Sequence, residues 1–152
     1  MQSICILDGD QENKEDYEKY VIVLPGAESP EKLIMDYSIQ LFDNNDDFWR
    51  TKIILDLNFG KITYRDTIRP DIDNIDKRIN ELKESRESTH GIKRVMSKKV
   101  FYKHRRFFEL LFKHWVNNEE HEEQLGKFYK DLFIMFKKVA QFHGINSNEW
   151  EN

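Results

Sequence analysis

Asp8, Asp10 and Glu31 have the residue type and spacing to bind a hard cation. Asp8-Gly9-Asp10 closes an apolar run, Ile4-Cys5-Ile6-Leu7. Side chains two apart on an extended strand project the same way, so both carboxylates are expected to face one ion. Glu31 follows a second apolar run, Val21–Leu24, and the breakers Pro25-Gly26 and Ser29-Pro30. Magnesium takes oxygen ligands and keeps several waters, so two or three carboxylates suffice for Mg²⁺ or Mn²⁺. The plainer alternatives are a polar turn for Asp8-Gly9-Asp10 and a dipole-complementing acid for Glu31.

The two runs must position these acids. Four apolar residues in a row suit a strand covered on both faces, as in a parallel sheet. Ligand sites in open α/β sheets lie beyond the carboxyl ends of the strands. Cys5, inside the first run, is expected to be a small core residue in a reducing compartment. Gly9 is expected to give the chain a sharp exit. Ser29-Pro30 is expected to open a helix to about Phe42, with Leu33, Ile34, Tyr37 and Leu41 on one face.

The 152 residues suffice for a real core, and eleven Phe, six Tyr and three Trp argue for a packed fold despite 34% charged residues. The net charge of −4 conceals a split. Residues 1–50 carry twelve acids against four Lys or Arg, whereas 92–115 hold eight Lys or Arg and only Glu109. Lys93, Arg94, Lys98, Lys99, Lys103 and Arg106 are therefore candidates for contact with nucleic acid, DNA ahead of RNA. No apolar run is long enough to span a bilayer, and Met1 leads directly into the first strand. The expected location is cytoplasmic, without a membrane partner.

Beyond Asp47 the pattern is mainly helical. Phe48 and Trp49 are expected anchors, and Ile53–Leu57 fits strand or helix. Pro70 is expected to end the segment before it, and Asp71–Glu84 reads as a helix facing inward through Ile72, Ile75, Ile79 and Leu82. Asp71 and Asp73 are expected caps. Residues 85–97 read as polar and loop-like. Lys98–Val116 reads as one amphipathic helix with Phe101, Phe108, Leu111, Phe112 and Trp115 inward. Glu119–Gly144 reads as a last helix with a wide stripe through Leu125, Phe128, Leu132, Phe136, Val139 and Phe142. His114, His121 and His143 lack zinc-ligand spacing.

The run Ile6-Leu7-Asp8-Gly9-Asp10, the next strand, Leu24-Pro25-Gly26 and Ser29-Pro30-Glu31 together resemble the second half of a Toprim domain. The closest likeness is to the C-terminal region of OLD-type (overcoming lysogenization defect) proteins, which join an ATPase to a Toprim nuclease and several of which act in phage defence. The resemblance implies that Asp8 and Asp10 are the family's Asp-x-Asp pair and Glu31 its later acid. It implies that Lys98 or Lys99 is the downstream lysine and that this lysine and the three acids serve Mg²⁺-dependent phosphodiester cleavage. It further implies a Toprim-like metal-binding part over 1–47 and a helical part over 48–152. Haloacid-dehalogenase-type phosphatases share Asp-x-Asp after a strand, but Gln11-Glu12 departs from their pattern.

Toprim domains carry an earlier Glu, and no acid precedes Asp8; no G-x-x-x-x-G-K-[ST] occurs either. The expectation is thus an α/β chain that forms the tail of a longer ATPase–nuclease and lacks the general base by itself. The alternative is a non-catalytic binding or regulatory piece that docks on an ATPase subunit or nucleic acid, with a homo-oligomer as a further expected partner.

Overall fold

The computed structural model describes residues 3–84 and 89–146. It is an α/β chain, mainly helical, with a small parallel sheet near the N-terminus. The elements are β1 (Cys5–Leu7), β2 (Val21–Val23), α1 (Pro30–Asp43), α2 (Lys52–Asp56), α3 (Lys61–Thr63), α4 (Arg69–Glu84), α5 (His90–Lys103), α6 (Arg105–Val116) and α7 (Glu122–Phe142). Two compact units result: Met1–Pro30 with Val116–Asn152, and Glu31–Trp115. None of the described helices is long and apolar enough to cross a membrane.

In the first unit β1 and β2 pair in parallel, Cys5 with Val21, Ile6 with Ile22 and Leu7 with Val23. Their connection is two short 3₁₀ turns, Gly9–Lys14 and Tyr17–Lys19. Asp16 caps the second turn by accepting from the Glu18 and Lys19 amides. The parallel pairing agrees with the expectation, but the double-sided burial does not. Ile22 is the buried residue of β2, α7 packs against that strand, and Cys5 and Ile6 are exposed. A sheet of two strands has two edges, and a three-residue edge strand cannot be enclosed as a central strand is. Cys5 is therefore a surface thiol rather than a core residue.

Gly9 matters for a different reason from the expected one. A Cβ there would lie 2.0 Å from the Gly26 carbonyl oxygen, so two backbones meet where only glycine fits. Gly26, at φ 94°, makes the turn that ends β2.

The second unit is built on aromatic packing. Ile34, Met35, Tyr37 and Leu41 of α1 are buried, as are Phe48 and Trp49. Trp49 packs 4.8 Å from Tyr64 between ring centroids and donates its indole N–H to the Leu41 carbonyl at 3.0 Å. Ser38 Oγ lies 2.8 Å from Tyr64 Oη and donates to the Met35 carbonyl at 2.6 Å, so the buried hydroxyls are satisfied. Ile53–Leu57 resolves as helix α2 rather than strand.

Pro70 does not end the segment before it. α3 continues through a wide π turn, Tyr64–Ile68, into α4, and the Arg69 amide reaches back five residues to the Tyr64 carbonyl. The wide turn accommodates a proline that has no N–H to give the preceding turn. Ile72, Ile75, Ile79 and Leu82 then face the core as expected.

The expected helix over 98–116 is two helices. α5 begins at His90, and the chain breaks at His104 (φ −113°, ψ 28°) before α6. Asp71 holds this corner rather than capping a helix: its Oδ2 lies 2.6 Å from His104 Nε2 and 2.7 Å from Lys103 Nζ. Asp73 pairs with Arg69 at 2.7 Å. His114 is half-buried, with its Nδ1 2.8 Å from the Tyr37 hydroxyl.

Candidate functional site

Asp8 follows the last residue of β1, as the sequence implies, but the extended backbone stops there. Asp10 lies in the first 3₁₀ turn, so the alternation expected to align the two carboxylates ends before it. Asp10 is exposed and accepts from Gln11 Nε2 at 3.2 Å; Asp8 is half-buried and makes no side-chain cap. Glu31 sits in the first turn of α1, and Lys98 and Lys99 sit on α5, all three in the second unit. Among the described residues no group of three His, Cys, Asp or Glu side chains is placed to hold a metal ion.

The first unit does contain a cleft of about 300 Å³ beyond the carboxyl end of β2. Its polar lining includes Glu12, Glu15, Lys127 and Asp131, over Ile22 and Phe128. The Tyr17 hydroxyl donates to Asp131 Oδ2 at 2.9 Å. Burial, reinforced by Asp131 and Glu15, pushes the Tyr17 pKa well above its ordinary value, so it remains a neutral donor. These acids were not sequence candidates. Asp131 lies more than a hundred residues from Tyr17 in the chain, and no local spacing pattern signals the contact.

The basic residues of α5 lack the acid partners that cations on α1, α4 and α6 have within their own helices. On α1, Lys32 pairs with Asp36; on α4, Arg69 with Asp73 and Arg78 with Glu81; on α6, Arg105 with Glu109. On α5, Lys93, Arg94, Lys98 and Lys99 make no ion pair among the described residues, and α5 itself carries no acid. Arg94 and Lys99 are exposed, as are Val95 and Tyr102, the last at 68%, and Lys98 is half-buried. Arg94 and Lys98 are four apart, a spacing at which like charges repel on a helix. Lys103 differs from the other candidates because Asp71 neutralises it. Arg106 is exposed on α6, past the break.

No family model matches this sequence, and neither a curated protein nor a solved structure matches it.

Proposed function

We propose that this chain is a nucleic-acid-binding module whose contact surface is the solvent face of α5. One observation carries the reading: α5 contains no acid, and four of its cations, Lys93, Arg94, Lys98 and Lys99, make no ion pair among the described residues and stand on a helix with an exposed tyrosine. A face of like charges costs stability, and a polyanion relieves that cost. Arg94, Lys98 and Lys99 engage phosphates, Lys93 supports them from the flank, and Tyr102 offers a ring on which a base stacks. The twelve acids of residues 1–50 repel the same ligand and favour contact through α5.

The test is fluorescence anisotropy of a labelled single-stranded oligonucleotide at several salt concentrations. Neutralising Arg94, Lys98 and Lys99 to Gln lowers the magnitude of the log–log salt slope by about 2, at roughly 0.7 per phosphate contact. An unchanged slope and affinity refute the assignment.

The Mg²⁺-dependent cleavage implied by the Toprim resemblance is a second proposal, for a longer OLD-type ATPase–nuclease. The observation in its favour is the parallel pairing that sets Asp8 just past β1. Calorimetry with Mn²⁺ tests it: binding abolished by Asp8→Asn supports the reading, and no binding removes it.

A further inference from the structure

We infer that α7 is a self-association surface on which two copies of this chain pair antiparallel. Of the wide stripe expected on α7, Leu125, Phe128, Leu132 and Val139 are half-buried and Phe136 and Phe142 are exposed. Met135 and Ala140 are buried, whereas Tyr129, Phe133 and Phe136 are 58%, 38% and 51% exposed. With exposed Gly126 they form a row at positions 126, 129, 133 and 136. The alternating steps of three and four are those of a coiled-coil seam.

The row is its own complement when reversed. A two-fold axis level with Asp131 sets Phe133 of one copy against Tyr129 of the other, and Phe136 against Gly126. The central layers are then aromatic pairs, and the outer layers set a large side chain against none. A Cβ added to Gly126 meets nothing within 4 Å in its own chain, so the space above it is open to a partner's ring. Asp131 itself does not enter the seam, because it receives the Tyr17 hydroxyl.

Charge follows the same symmetry. One position beyond the seam on one flank lie Glu123, Lys130 and Lys137. The antiparallel register sets Glu123 of each copy beside Lys137 of the other, twice over. In the chain by itself the Lys137 ammonium lies over the Phe133 ring, at the edge of the seam. The other flank carries Leu125, Leu132 and Val139, which pair leucine with valine and leucine with leucine. Antiparallel alignment also opposes the two helix dipoles favourably. The one like-charge contact is Lys130 against its own copy at the axis.

Sedimentation of the full chain over a wide concentration range tests this. The wild type forms a reversible dimer. Phe133→Ser and Phe136→Ser each weaken it by about tenfold or more, as expected of aromatic anchors in a seam. Glu123→Lys and Lys137→Glu each weaken it, and the two together restore it. Gly126→Leu weakens the dimer without lowering the melting temperature of the monomer. Lys130→Gln tightens the dimer. A chain that is monomeric at every concentration overturns the inference. So does a dimer indifferent to these substitutions, or a charge swap that fails to rescue.

Discussion

α5 and α6 are consecutive helices of similar length, separated by His104, and they use their residues in opposite ways. α6 buries Phe107, Phe108, Leu111 and Trp115 and ties Arg105 to Glu109 at 2.6 Å. α5 buries Ser97, leaves Val95 and Tyr102 in solvent, and holds unpaired cations among the described residues. The first pattern buries aromatic surface and pairs a cation with an acid of the same helix. The second forgoes both, and a stretch that breaks local rules is where function is to be sought. On the proposed reading, α6 supplies stability and α5 supplies ligand contact.

The largest effect comes from cutting the α6 side of the comparison. Phe107 is fully buried and touches the Trp49 and Tyr64 rings, so Phe107→Ala costs about 3–5 kcal/mol in chemical denaturation. Neutralising Arg94, Lys98 and Lys99 leaves the denaturation midpoint in place or raises it, since their mutual repulsion is relieved. If that triple variant is destabilised like Phe107→Ala, the division of labour between the helices fails.

Next in size is Tyr102→Ala, which loses about 1–3 kcal/mol of single-strand binding while the salt slope stays as in the wild type. A fall in thermal stability without a fall in affinity would make Tyr102 structural.

A smaller effect concerns the corner that separates the helices. Burial pushes the Asp71 carboxyl up, but hydrogen bonds from Lys103 and His104, with their charges, outweigh it and hold the pKa below the ordinary value. A depressed folded pKa gives stability that is present above the unfolded value of 3.8 and is lost as pH falls through the folded one. Asp71→Asn therefore lowers the melting temperature at neutral pH and flattens the decline below pH 4, as thermal scans across pH would show. An equally steep acid limb in the variant would remove Asp71 as its source.

The smallest is Tyr64→Phe, which removes the hydroxyl facing Ser38. Ser38 keeps its bond to the Met35 carbonyl, so the loss is about 1 kcal/mol in denaturation.

What the sequence disclosed follows the range over which each interaction acts. The apolar runs around Cys5–Leu7 and Val21–Val23 announced paired strands, and the isoleucine spacing announced the inner face of α4. The excess of cations over 92–115 was plain, but the first half of α5 read as loop because its residues are polar and basic. Whether a strand is covered depends on neighbours, so Cys5 looked buried and is not. Pro70 looked like a terminator because its missing N–H is local, while the π turn that absorbs it is a property of the whole segment. The break at His104 was illegible because Asp71, which holds it, lies 33 residues away. The wide stripe of α7 showed apolar surface without showing which part its own unit uses. Asp8 and Asp10 were legible as an acidic pair at a strand end, but the backbone between them turns, and periodicity does not reveal that.

The most direct measurement is amide chemical-shift mapping of the full chain during titration with single-stranded DNA. The predicted result is a set of perturbations concentrated at residues 91–103 of α5, with Tyr102 among the largest. No perturbation, or one centred on the first unit, contradicts the assignment of α5 as the nucleic-acid surface.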